Sequence, residues 1–329
     1  MARGNYADRS HDATLAERYI PADMSSSPPA QRGPIVTVSS NKGGVGKTTL
    51  ATNLAIYTRA LREDLPVLVV GLDDQGTLDR MFALRELRSG DGNLKHAWAE
   101  RSLASAAQLG QYGVHFVPSP PDVALLKARA SDPRTLSRIL EQTAWPGLVI
   151  LDTKSDLEAL TQNAYHAADR ILVPVADWSS LEEAEKITTL LDRSGIGSAR
   201  ARIVFTLVDR RSRIGGAEGP TLFGRLRDEV RRRGWAYYKT ALSRSPRVEA
   251  LNSGSRTPLS ILHHAKGTEV HAQFRELTVE VLGDLGISDR LDLSPVRESA
   301  SADELWGAPA PVREAASRAA ARWVARWRR

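Results

Sequence analysis

The chain has 329 residues, 42% hydrophobic and 26% charged, with a formal net charge of +6, a balance that predicts one large globular core with appendages. It contains no cysteine, which excludes disulfides, thiolate metal sites and iron–sulfur clusters. No apolar run approaches the ~20 residues that spanning a bilayer requires, and residues 1–10 lead into no apolar signal-like stretch. The expected location is therefore the cytoplasm.

Residues 1–33 are polar and end in Ser-Ser-Ser-Pro-Pro-Ala-Gln-Arg-Gly, a composition that predicts a disordered N-terminal arm, with Leu15–Ile20 as a short docking motif within it. The β-branched run Ile35-Val36-Thr37-Val38 predicts a buried strand, followed by a glycine-rich loop and a helix from about Thr48 to Arg62. Further buried strands are expected at Val67–Val70, Val114–Val117, Leu148–Leu151, Ile171–Val175 and Ile203–Leu207, separated by segments of helical periodicity. Strands apolar on both faces that alternate with helices predict an α/β, doubly wound, mostly parallel sheet flanked by helices. Ligands of such sheets sit beyond the carboxyl ends of the strands, so the residues just after each strand take priority. A closing helix is expected over Val270–Leu285. After it come a linker over 286–310 and a basic amphipathic helix over 311–329.

The loop Asn41-Lys42-Gly43-Gly44-Val45-Gly46-Lys47-Thr48-Thr49 has the residue types of a phosphate cradle. Gly43, Gly44 and Gly46 let backbone N–H groups crowd an anion, Lys47 can reach the β- and γ-phosphates of a nucleotide, and the Thr48 hydroxyl can ligate Mg²⁺. The helix that follows points its positive end at the same place. Asn41 stands where the strict Gly-x4-Gly-Lys-Ser/Thr pattern has glycine, a substitution that Asn's tolerance of left-handed backbone angles would accommodate.

With its extra lysine, Lys42–Thr49 resembles the deviant Walker A motif of the ParA/MinD family of P-loop ATPases, and residues 34–285 resemble that family throughout, most of all its ParA-type partition proteins. The resemblance implies ATP and Mg²⁺ as cofactors. It also implies slow, partner-stimulated ATP hydrolysis and an ATP-dependent homodimer in which Lys42 reaches the phosphates of the opposite subunit. On this basis Lys42, Gly43, Gly44, Val45, Gly46, Lys47, Thr48 and Thr49 hold nucleotide, and Lys42, Lys47 and Asp73 are the catalytic candidates. Asp73 lies in Val67–Thr77, which is similar to a family segment reading Asp-x-Asp-Pro-Gln-Gly; Gly71 and Asp74 replace its first aspartate and its proline. Asp152 ends Leu148–Asp152, similar to a Walker B strand, and together with Asp73 would reach the metal through water. The family continues Pro-Pro, whereas this chain has Lys154-Ser155-Asp156, and Lys154 is either a sensor or merely exposed. Asp209 and Arg210, after the last strand, are further candidates for nucleotide contact. Residues 242–250 resemble a ParA segment rich in Arg and Glu, one residue shorter here.

Charge is unevenly spread, with fourteen Lys or Arg against five Asp or Glu in residues 200–256 and six Arg against Glu314 in residues 311–329. ParA proteins bind DNA without sequence preference, and by that resemblance Arg211, Arg213, Arg225, Arg227, Arg231, Arg232, Arg233, Arg244 and Arg247 are candidate phosphate contacts. A blander account is open for Arg231–Arg233, which at a helix end would favour its negative pole. The expected partners are DNA and a ParB-like or other cargo-bound activating protein. In the terminal segment Val312, Ala315, Ala316, Ala319, Ala320, Trp323 and Trp327 form one stripe with arginines outside it. That is the pattern of a helix for an anionic surface, a MinD-like alternative, but a mostly alanine stripe buries little area, so membrane contact ranks below DNA or a partner.

Overall fold

The structure, a computed structural model, describes residues 32–287 except 74–75, 89, 121–122, 214–218 and 254–257. Residues 1–31 of the expected arm with its 15–20 motif, residues 288–310 of the expected linker and the expected terminal helix lie outside the described residues.

The strands are β1 (Ile35–Val38), β2 (Val67–Gly71), β3 (Gln108–Leu109), β4 (His115–Val117), β5 (Leu148–Asp152), β6 (Arg170–Val175) and β7 (Ala201–Phe205). The helices are α1 (Lys47–Leu61), α2 (Thr77–Phe82), α3 (Leu94–Glu100), α4 (Val123–Arg129), α5 (Thr135–Thr143), α6 (Ala159–Ala167), α7 (Trp178–Arg193), α8 (Leu222–Arg232), α9 (Pro246–Ser253), α10 (Ile261–His264) and α11 (Glu269–Asp284). The strands form one sheet in the order β3-β4-β2-β5-β1-β6-β7. Among these strands only the two-residue edge strand β3 runs antiparallel to its neighbour; the other pairings are parallel.

Alternation along the strands divides the core between the two faces of the sheet. Val36, Val38, Val67, Val69, Leu148, Ile150 and Leu172 point to one face, where residues of α1, α2, α10 and α11 cover them. Ile35, Leu68, Val70, Val149 and Leu151 point to the other, under α3, α5 and α6. Farther along that second face Ile171, Val173, Val175, Ile203 and Phe205 meet α7 and α8. Helix α1 is buried from Leu50 to Thr58, as expected of the segment packed at the centre of one layer. On α7 the buried positions Leu181, Ala184, Ile187, Thr188 and Leu191 keep the three-to-four spacing of a one-sided helix.

Most element ends fall within one residue of the sequence expectation, and larger differences lie at the start of the domain, at the last strand and at β3. Arg32 and Gly33, counted with the arm, are tied to the sheet: Arg32 donates to both oxygens of Asp169, at 2.7 and 3.1 Å, and Gly33 N donates to the Trp145 carbonyl at 2.7 Å. The last strand is Ala201–Phe205 rather than Ile203–Leu207, because Leu207 takes a positive φ of 53° and is 38% exposed, which turns the chain out of the sheet. Strand β3 has no counterpart in the sequence pattern, since two residues offer no alternation to read.

His115 begins β4 with its ring edge-on to Trp145 at 5.0 Å and its Nδ1 buried without a hydrogen-bond partner. Burial, with help from the nearby Arg59, lowers its pKa to about 4. A histidine that stays neutral in the folded chain but protonates near 6.5 when unfolded makes the unfolded state the stronger proton binder. Stability is therefore lost as pH falls from about 6.5 towards 4. His115→Phe keeps the ring contact and is expected to remove on the order of 1–2 kcal/mol of the destabilisation between pH 7 and pH 5. Urea unfolding at the two pH values measures it; an unchanged pH dependence refutes it.

Candidate nucleotide-binding site

Because β1, β5 and β2 are adjacent, the loop after β1, the residues after β5 and those after β2 converge at one carboxyl edge of the sheet. The loop after β1 turns through Gly44 and Gly46, whose φ values of 75° and 88° lie in the left-handed region that costs a side chain ~1–2 kcal/mol. Space is not the constraint there, for a Cβ at either position would touch nothing within 4 Å. Asn41 does not have positive φ, so its tolerance of that region is not what places it. Its side-chain amide instead donates to Glu183 Oε2 at 2.6 Å. Gly43 and Gly44 are exposed at the rim, and Val45 is buried beneath them.

The loop is held from below by side chains at the strand ends. Thr206, just past β7, donates its hydroxyl to the Val45 carbonyl at 2.9 Å. Thr153, just past β5, donates to the Val38 carbonyl at 3.1 Å. Ser39 Oγ and Tyr165 OH lie 2.8 Å apart, both fully buried. α1 then starts at Lys47, with its N-terminal N–H groups facing the loop.

Lys47 is 7% exposed, with Nζ donating to the Lys42 carbonyl at 3.2 Å and to Ser155 Oγ. Burial lowers its pKa, while Asp152, Asp73 and Asp156 oppose that shift. Asp152 is 2% exposed and its Oδ1 has no hydrogen-bond partner. Burial raises its pKa to about 7; Thr48 and Lys47 favour the ionised form, and Asp73 disfavours it. A buried carboxylate oxygen without a donor, beside a threonine hydroxyl at the head of a helix, fits a hard divalent cation. Thr48 and Asp152 are the residues that would hold it.

Asp73 follows β2 and is half-buried. At Gly71 a Cβ would meet Leu78 Cδ1 at 2.7 Å and Ser119 Oγ at 3.0 Å, so Leu78 fills the space a longer residue at position 71 would need. Lys154 is half-buried, against the reading of a merely exposed side chain. Lys42 finds its partner outside the loop. Its ammonium donates to Asp177 Oδ2 at 2.6 Å, and Asp177 caps α7 immediately after β6. Asp209 and Arg210 are exposed beyond β7, where Asp209 accepts from Arg211 N at 2.9 Å and Arg210 lies 3.7 Å from Glu269. The chain at 242–244 runs beside them, with Val208 N donating to the Leu242 carbonyl and Arg244 N to the Val208 carbonyl.

The arginines fall into two groups. Those of the triplet have internal partners: Arg231 bonds Tyr237 OH, Arg232 bonds Glu229, and Arg233 bonds Glu229 and Glu185. Arg244 pairs with Glu249 and Arg247 donates to the His264 carbonyl. Arg227 lies over the Phe223 ring, and Arg213 bonds the Gly219 carbonyl. Arg211 is 95% exposed, 3.6 Å from Asp209. Arg225 is exposed without an ion pair among the described residues.

Sequence reading missed Thr206, Ser155, Asp177 and Glu183. The first three closely follow strands β7, β5 and β6, the zone that the strand-end rule marks, but nothing in their residue types distinguishes them from ordinary turn residues.

A family model described as an AAA domain matches residues 33–193. The chain is 30% identical over 254 residues to the chromosome-partitioning ATPase Soj of Thermus thermophilus, covering 75% of this chain and 94% of that protein. Among solved structures, an ATP complex of a McdA variant from Cyanothece aligns with a TM-score of 0.62 at 17% identity, over 77% of this chain and 97% of that one. The septum site-determining protein MinD with Mg-ADP from Pyrococcus horikoshii aligns with a TM-score of 0.59 at 17% identity, over 79% and 100%. At such identities the two structures speak for the fold, a mostly parallel sheet between helical layers.

Thr206→Val removes the hydroxyl that anchors the cradle without changing side-chain shape. A net hydrogen bond of ~1 kcal/mol sets the expectation: affinity for ATP with magnesium falls about three- to tenfold, and thermal stability drops slightly. Nucleotide titration by calorimetry checks it, and unaltered affinity would remove Thr206 from the site.

Proposed function

The chain belongs to the Soj/ParA family of P-loop ATPases, and from that membership we propose that it is a dimerising switch: ATP closes two subunits face to face, the dimer binds DNA nonspecifically, and a cargo-bound protein stimulates hydrolysis and release. It is an ATPase of the partition and positioning type, with ATP and Mg²⁺ as its ligands. The observation that carries the dimer reading is a second lysine at the mouth of one cradle. Lys47 is buried, with its ammonium on the Lys42 carbonyl and Ser155, whereas the Lys42 side chain is 31% exposed with its ammonium on Asp177, outside the loop, where it can serve a facing pocket once its ion pair opens.

In this reading the backbone of Gly43–Thr49 and the ammonium of Lys47 hold the phosphates, and Lys42 adds a positive charge from the partner side as two anionic ligands are brought together. Thr48 and Asp152 would hold the magnesium, which when bound would offset phosphate charge. Asp73 orients the attacking water. Arg211 and Arg225, the exposed arginines beyond the end of β7 and on α8, are the first candidates for DNA phosphates. Arg244 and the triplet contribute background field, already partly neutralised by Asp228, Glu229, Glu185 and Glu249, whereas Arg213, Arg227 and Arg247, which have no acidic partner among the described residues, add charge beside the first candidates. Asp209 and Arg210 stay secondary candidates for nucleotide contact, since their contacts are with Arg211 N and Glu269.

Light scattering is expected to show a dimer with ATP and magnesium and a monomer without nucleotide, and Lys42→Ala to stay monomeric; a nucleotide-independent monomer would end this reading. The dimer should shift random duplex DNA in a salt-sensitive manner. Arg211→Ala with Arg225→Ala should lower the slope of log affinity against log salt by about 0.9 per lost phosphate contact. ATP-dependent sedimentation with anionic liposomes, without any DNA shift, would instead replace DNA with a membrane surface. Phosphate release should fall at least tenfold in Asp73→Ala, and equal rates would remove Asp73 from the chemistry.

A further inference from the structure

The carboxylate of Asp177 has two duties, one on each oxygen. Oδ1 accepts from Ser180 N at 2.8 Å, which caps α7, while Ser180 Oγ lies 2.9 Å from both Ala176 N and Asp177 N as acceptor. Oδ2 accepts the Lys42 ammonium at 2.6 Å. The reciprocal capping fixes the carboxylate in place, so the second oxygen is a rigid seat rather than a mobile surface acid. Burial works to raise the Asp177 pKa, but Lys42 and Ser180 outweigh it and leave the group below the usual carboxylate range. Glu183 is also near Lys42, but its oxygens are taken by Asn41 and Lys186, at 2.6 and 2.7 Å.

We propose that Asp177 is a positioning residue for Lys42: it seats the lysine in the open subunit and yields it to the phosphates of a facing subunit, so the Asp177–Lys42 pair sets how much ATP is needed for closure. This rests on the dimer reading above. The pair is partly exposed, 31% on the lysine and 45% on the aspartate, and exposed pairs of this kind are weak. A facing triphosphate carries several negative charges against the one of Asp177, and competes for the ammonium with multiple oxygens. A weak seat suits that exchange, because a strong one would hold the switch open. The seat also has a directional effect. It ties the Lys42 ammonium to its own subunit, so the cost of closure includes breaking the pair, and removing the charge makes closure easier.

Asp177→Asn separates the two duties. Asparagine is as good a helix cap as aspartate, and its Oδ1 keeps the Ser180 bond, whereas Nδ2 replaces the oxygen that accepts Lys42 with a donor. Asp177→Ser, a second good cap without charge, controls for the shape of asparagine. The full-length chain is used with two readouts. In nucleotide-free protein, amine labelling of Lys42 read by mass spectrometry against other lysines should rise several-fold in both variants while the melting temperature stays close to wild type. In ATP titrations with magnesium followed by light scattering, the concentration for half-maximal dimer should fall about two- to fivefold, the range an exposed ion pair supports. Unchanged Lys42 labelling would show that the seat does not exist. Raised labelling with an unchanged or higher ATP requirement would show that the seat has no bearing on closure. A wild type that stays monomeric at saturating ATP would overturn the dimer reading itself, and the inference with it.

Discussion

The structure turns on burying charge at one edge of a parallel sheet. Lys47 and Asp152 are both almost fully enclosed, and neither placement is favourable without compensation, since desolvation pushes each towards its neutral form. Left to itself the Asp152 carboxyl makes the folded state relatively less stable as pH rises from about 4 to 7, because the native chain holds the proton the unfolded chain has lost. A divalent cation with a phosphate ligand would reverse that balance, giving the carboxylate a partner and the ammonium a set of oxygens. Ligand binding and relief of buried charge are thus one event. This is why the loop, the strand end and the helix start must be held together before any ligand arrives.

What holds them is a set of strand-end hydroxyls rather than the loop itself. Thr206 and Thr153 reach from β7 and β5 to carbonyls at Val45 and Val38, and Ser39 meets Tyr165 from α6. The cradle is therefore preorganised by three different segments, each brought there by the parallel order of the strands. α7 extends the connection outward. Its first residues neighbour Asp177 and Lys42, and its middle turn carries Glu185, which pairs with Arg233 at the end of α8 at 2.8 Å. One rigid helix thus touches both the lysine of the nucleotide site and the arginine-rich surface.

That surface is less positive in practice than its composition. The triplet Arg231–Arg233 is engaged by Glu229, Glu185 and Tyr237, which favours the helix-end account for these residues and leaves Arg211, Arg213, Arg225 and Arg247 with the exposed, lightly compensated charge. Counting arginines along a chain cannot separate the two groups, because the acids that neutralise them lie three or four residues away on a helix or on another helix altogether.

The amino-acid sequence by itself determined the order of strands and helices, the glycine-rich loop and its lysines, and the acid at the end of β5, because each rests on local pattern: β-branched runs for buried strands, glycines where the chain must turn left-handed, and a helix start after them. It did not show the edge strand β3, too short for periodicity, nor the outward turn at Leu207. Above all it was silent on pairings. That Asp177 seats Lys42, that Glu183 holds Asn41 and that Thr206 anchors Val45 were decided by the sheet order, which sets β6 next to β1 and β7 next to β6. Residues 135 or more positions apart in the chain meet across those junctions, and long-range contacts of that kind leave no periodic trace in a single sequence.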